Sequence, residues 1–240
     1  MKFKHINTII DKELKGYFNS PLAYIFMTVF LVFTSWFFFR GFFLNNVATM
    51  RPFFTILPWV FLFLIPAITM RLWAEEQKLG TIETLLTSPI TESEVVIGKF
   101  MASFIFLIIS ILFSLAIPII LFFAGQPDLG TIVGGYFGAI LLGGAYLAIG
   151  LWVSSLTNNQ IVAFIFSVFL IFILFIISQP IILETTPALI TPALKYVGME
   201  SHFQSILRGV FDSRDIIYYI TLICFFLYLN IASLNSRKWH

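Results

Sequence analysis

The sequence predicts an all-α integral membrane protein with six transmembrane helices, and three observations predict it. The 240 residues are 59% hydrophobic, only 11% charged, and include 30 Phe. A soluble domain of this length could not hide so much apolar surface. Six runs, at 22–39, 53–70, 100–124, 131–153, 160–183 and 216–234, contain no Asp, Glu, Lys, Arg or His. Each is long enough to cross a bilayer as a helix. Together the runs use about half the chain, so the expectation is one membrane domain, 1–240, with no room for a soluble catalytic domain.

Six crossings put both termini on one side. That side carries Lys2, Lys4, Lys12, Lys15, Arg71, Lys78, Lys99, Arg237 and Lys238; the other carries Arg40, Arg51, Lys195, Arg208 and Arg214. The excess of basic residues places the N- and C-termini in the cytoplasm. Tyr17, Trp73, Trp152 and Trp239 then fall at cytoplasmic span ends, as an interfacial aromatic belt.

Residues 3–18 come first. Phe3, Ile6, Ile10, Leu14 and Tyr17 recur at helical spacing, with Lys4, Lys12 and Lys15 opposite. This predicts an amphipathic helix on the inner leaflet, either a topology anchor or a partner contact. Asn19-Ser20-Pro21 ends it and starts the first span. That span is too long for the core of a cleavable signal. Pro58 and Pro66 predict a kinked or interrupted second span.

The segment 71–99 follows, with Glu75, Glu76, Glu83, Glu92 and Glu94 against Arg71, Lys78 and Lys99. Leu72, Leu79, Ile82 and Leu86 predict a helix that Pro89 stops. Thr91-Glu92-Ser93-Glu94 reads as a capping box opening the third span. Such an ordered, acidic, cytoplasmic hairpin suits docking to another protein.

The fourth span is glycine-dense. Gly135, Ala139 and Gly143 recur every four residues, as do Gly134 and Gly138, which predicts close helix packing within the chain or between subunits. Between the last two spans lie Pro180, Pro187 and Pro192, then Phe203, Ile206, Leu207, Val210 and Phe211 on one predicted helical face. This stretch, 180–214, is expected to fold back as an outer cap or re-entrant segment.

Several chemistries are missing. No G-x-x-x-x-G-K-[ST] loop, H-E-x-x-H or G-x-S-x-G motif occurs, and His5, His202 and His240 are too scattered to suggest a metal site. The lone Cys224 permits no intrachain disulfide, and the net charge of +2 gives no sign of a nucleic-acid partner. The spans hold no Asp, Glu, Lys, Arg or His, which argues against an ion-coupled carrier and for power from outside the chain.

The stretch "EEQKLGTIETLLTSPITESEVVIGK", residues 75–99, resembles the cytoplasmic segment of ABC-2 type permeases, the membrane subunits of ATP-binding-cassette exporters. Glu76, Gly80, Thr81, Glu83, Leu85, Leu86, Pro89 and Lys99 carry the likeness. "KELKGYFNSPLAYI" and "SHFQSILRGVFDSRDIIYYI" are similar to the GldF-like, gliding-motility subgroup. The resemblance implies a coupling segment at 71–94. There Glu75, Glu76, Gly80, Thr81, Glu83, Leu85, Leu86 and Pro89 would contact a separate cytoplasmic ABC ATPase. ATP and Mg would be held by that partner, with no cofactor or metal bound by this chain. It further implies a second permease copy or a related permease, an accessory membrane or periplasmic subunit, and the bacterial inner membrane as location. A non-transporting scaffold or mechanotransmission subunit is the alternative.

Overall fold

The computed structural model describes residues 2–45, 49–81 and 90–237. Helix α1 is Lys2–Phe18, α2 Pro21–Asn45, α3 Arg51–Leu79, α4 Glu92–Phe113, α5 Ala116–Ala124 and α6 Leu129–Ser155. Then come α7 Gln160–Ile176, three short helices α8 Pro180–Thr185, α9 Thr191–Val197 and α10 Met199–Leu207, and α11 Ser213–Arg237. No strand occurs among the described residues.

Among the described residues, five segments are long and apolar enough to cross a membrane: α2, α3, α4 with α5, α6 and α11. The expected fifth crossing, 160–183, is shorter than predicted: α7 is apolar but only 17 residues long. Pro180 explains the stop. Its ring clashes with the carbonyl four residues back, that of Ile176, where α7 ends. Pro180 instead opens α8, where its missing N–H costs nothing. Pro118 acts alike in the third span. It breaks the helix at Ser114, and the Ser114 carbonyl is taken up by the Ile117 N–H at 3.0 Å and the Tyr136 hydroxyl at 3.1 Å.

The second span departs from expectation the other way. Pro58 and Pro66 do not interrupt it; α3 runs unbroken for 29 residues and past the apolar run to Leu79. Gly80 ends it in the left-handed conformation, φ 70°, with its N–H closing on the last turn. The predicted continuation through Ile82 and Leu86 lies outside the described residues.

Helix α6 is the hub: it is the most buried of the five long spans, and α11 the least. Its glycines admit neighbours rather than a second subunit. Gly135 faces the Phe54 ring of α3, Gly143 faces Phe61 and Leu107, Gly150 faces Thr69, and Gly134 and Gly138 seat α10. In a bilayer, where lipid is as apolar as leucine, such close approach is what holds helices together.

Two ends result. At the near end lie α1, the tail of α3, the start of α4 and the end of α6, joined by bonds such as Gln77 Nε2 to the Ser155 carbonyl at 2.9 Å. At the far end lie Gly41 against Pro52, the start of α6, and α8–α10. Asp128 caps α6 there, accepting from the Gly130 N–H at 2.9 Å and the Thr131 hydroxyl at 2.7 Å. The Thr131 bond chiefly holds its carboxyl below the usual range.

Candidate functional site: a carboxylate clamp and a packed cap

The near end is built on α1. Its buried stripe is shifted from the predicted one: Leu14 and Tyr17 pack inward as expected, but Ile6 and Ile10 are only half-buried, whereas Ile9 is buried and sits over Gly98 of α4. One and two turns further along the same face come Glu13 and Tyr17. The helix therefore packs on α4 through a mixed stripe, and its polar members become interior contacts.

Glu13 meets Lys99. The Lys99 side chain is 2% exposed, and its ammonium donates to Glu13 Oε1 at 3.0 Å, Glu76 Oε1 at 2.8 Å and the Leu72 carbonyl at 2.9 Å. Three donors meet three acceptors, which satisfies the group. Its charge also lies 5.0 Å from the centre of the Trp73 ring. Lys12 adds a looser, exposed cation 3.8 Å from Glu76. Removing an ammonium from water costs several kcal/mol, and two carboxylates with a carbonyl offset that only in good geometry. The result is a clamp that fixes α1, α3 and α4 to one another.

A second chain of bonds extends it. Ser103 donates to the Lys99 carbonyl at 2.9 Å, so its oxygen accepts from the Tyr17 hydroxyl, also at 2.9 Å. Burial pushes the Tyr17 phenol above its ordinary range and keeps that donor in place. Trp73 is fully buried beneath Lys99. It is a packing residue, and the expected interfacial position is corrected: α3 continues past the bilayer-length run and takes Trp73 inside the near-end packing.

Helix α6 reaches the clamp through Ser154, which accepts from the Trp73 and Ala74 N–H groups at 3.2 Å each and donates to the Met70 carbonyl at 3.0 Å. Ser154→Ala removes all three bonds from a fully buried site. It is expected to cost about 1–3 kcal/mol in reversible unfolding in mixed micelles; a loss within error would show that the bonds hold nothing.

Beside the clamp, a cleft is lined by Glu13, Tyr17, Arg71, Glu75 and Glu76. Glu75 pairs with Arg71 at 2.8 Å and is half-exposed. Gly80 and Thr81 are exposed next to it. Glu94 accepts from the Thr91 N–H at 2.9 Å, the return half of the predicted capping box.

The far end has its own packed unit. Helix α10 runs antiparallel along α6, with Gly209 against Gly130, Ile206 against Gly134 and Phe203 against Gly138. Phe203, Ile206 and Leu207 are buried. Val210 and Phe211 are not on that face. The helix ends at Leu207, Gly209 turns the chain at φ 79°, and Val210 and Phe211 stand exposed beyond it, Phe211 with its ring 5.5 Å from Phe137.

A sequence model of the ABC-2 family transporter protein matches residues 6–232. The chain belongs to the ABC-2 transporter family. No curated protein matches the sequence. Membership makes it the membrane permease component of an ABC transporter and a multi-pass membrane protein. Such permeases are typically non-catalytic and generally partner with an ABC ATPase.

In this ABC-2 permease, two of the motif residues, Glu76 and Lys99, bond directly although 23 positions apart. Glu75, Gly80 and Thr81 lie around them at the near-end surface. Glu83, Leu85, Leu86 and Pro89 lie outside the described residues. Glu13 escaped sequence reasoning because it interrupts the apolar stripe of α1; its spacing from Ile9 was the available signal. Glu200, His202 and Asp215, all buried in the far-end packing, escaped it too.

Proposed function

We propose that this permease is one half of the membrane domain of a bacterial inner-membrane exporter. A separate cytoplasmic ATPase docks at 71–94, and a second copy or related permease completes the pathway. In this reading the near end is cytoplasmic, α7 with α8 supplies the sixth crossing, and the far-end helices form the outer cap. ATP and Mg belong to the ATPase. The resemblance of 75–99 to the permeases of ATP-binding-cassette exporters supports export or extrusion.

One observation carries the reading: the Lys99 clamp. Segment 71–94 begins in α3 and ends in α4, and Lys99 ties both helices to α1. A push on the segment is then delivered to three helices together instead of being lost in a loose loop. Thr81→Cys, on a Cys224→Ser background, should crosslink to a co-purifying ATPase in native membranes. The crosslinked pair should move substrate or membrane components in an ATP-dependent way. Absence of any ATPase under mild extraction refutes the partnership. A bound ATPase without movement of any substrate would favour a force-transmitting subunit.

A further inference from the structure

The far end contains a polar cluster that the reading above does not use. Glu200, in the first turn of α10, is only 6% exposed. Its Oε1 accepts from the Gln204 side-chain amide at 2.7 Å. Its Oε2 is buried and has no hydrogen-bond partner among the described residues. Around it stand Tyr146 of α6, whose hydroxyl is likewise buried and unpartnered among the described residues, and Tyr218 and Tyr219 of α11. Tyr218 and Tyr219 point their hydroxyls at the carbonyls of Val197 and Met199. The imidazole of His202 on α10 does not serve Glu200: Nδ1 bonds Asp215 at 2.7 Å and Nε2 the Tyr196 carbonyl at 3.0 Å. Helix α7 has no titratable side chain. Lys195, Arg208 and Arg214 are exposed.

Among the described residues, therefore, no cation pairs with Glu200: His202 is committed to Asp215 and the Tyr196 carbonyl, and the Lys and Arg side chains of the neighbouring elements are exposed. An ionised carboxylate with one oxygen in an apolar setting and the other on a neutral amide is costly, so the group keeps a proton instead. Helix α10 is bounded by Gly198, packed against Ser178, and by Gly209 in the left-handed conformation, and it lies along the glycine track of α6.

We propose that α10 is a proton-operated latch, in which Glu200 holds a proton while α10 is seated on α6 and gives it to water when α10 lifts away. The bond broken is the Glu200 O–H, and the proton passes to the solvent that replaces the Tyr146 surroundings. Burial pushes the seated carboxyl up from 4.5 to about 7. The sign follows. The seated form binds the proton more tightly than the lifted form. Seating is favoured most below the ordinary carboxyl range, weakens as pH rises from about 4.5 to about 7, and is level above that. The latch closes in acid. It belongs to this chain alone and stands or falls independently of the ATPase assignment.

The test uses the full chain in nanodiscs, where both faces meet the same buffer. With Cys224→Ser, Leu207→Cys reports on the seated face and Thr185→Cys on an exposed control. The ratio of their maleimide labelling rates cancels the pH dependence of the thiol. From about pH 8 to about pH 5.5 the ratio should fall by about tenfold or more, because between the two carboxyl ranges the seating constant grows about tenfold for each pH unit of acidification. Glu200→Gln, which keeps shape and hydrogen bonds but no charge, should be slow at both pH values. A flat wild-type ratio, or a pH dependence surviving in Glu200→Gln, overturns the proposal. Infrared titration of the unaltered chain decides it even if that variant does not fold: a protonated-carboxyl band titrating near neutrality is expected, and its absence overturns the latch.

Discussion

Lys99→Ala will cost about 3–5 kcal/mol of stability, the range seen when one partner of a buried ion pair is removed. Among the described residues, the ammonium is the only buried group that answers Glu13 Oε1 and Glu76 Oε1 together, and it also holds the Leu72 carbonyl. Lys12 sits 3.8–4.0 Å from the same carboxylates but on the exposed side, where screening leaves it worth well under about 1 kcal/mol. The variant should unfold earlier in mixed micelles and free α1 to proteolysis between Asp11 and Asn19. Lys99→Met combined with Glu13→Gln and Glu76→Gln removes the buried charges as a set and should recover most of the loss. A single-variant cost below about 1 kcal/mol, or no recovery in the triple variant, would mean that the clamp is a bystander.

The second large effect concerns α10. A Cβ at Gly134 falls on the carbonyl oxygen of Ile206 and 3.2 Å from the Cα of Gly209. Both obstacles are backbone, so neither can rotate aside. Gly134→Val adds two further methyl groups to that clash and is expected to cost about 1–3 kcal/mol by overpacking. The cap cannot remain seated against it. Leu207→Cys should then label as fast as Thr185→Cys, at any pH. Gly138→Ala is the graded control, because its Cβ meets only side chains, at 3.2–3.3 Å. Slow labelling in Gly134→Val would show that α10 is held elsewhere.

The apolar runs made the spans readable, because a charge-free stretch of about 20 residues has few other uses. Their ends were less readable. Pro118 and Pro180 break helices inside apolar runs, whereas Pro58 and Pro66 sit inside α3 without ending it. Composition cannot tell these cases apart, since the outcome depends on whether a neighbour such as Tyr136 takes the freed carbonyl. The glycine track was legible as a packing surface, but not its occupant, which lies far along the chain in α10. The clamp was half legible: Glu76 and Lys99 stood in one motif, but Glu13 reaches them only through the docking of α1. Trp73 shows the limit of reading by residue type. A tryptophan near a span end suggests the interface, yet this one is enclosed because its helix runs on to Leu79.

That continuation has a mechanical meaning. At 29 residues α3 is a rod of about 44 Å, longer than the hydrocarbon layer. Its near end is pinned by Lys99 and Ser154, and its far end lies by Phe53 and Phe54 against Tyr136 and Gly135. A tilt of about 5° about the pin near Trp73 sweeps the Phe53 end, about 30 Å away, by about 3 Å. Gly135 lies on the same helix as Gly134 and Gly138, the track beneath α10. In the proposed reading the rod is a lever whose short arm is in reach of a partner docked beside Gly80, and whose long arm bears on α6, the helix on which α10 is seated.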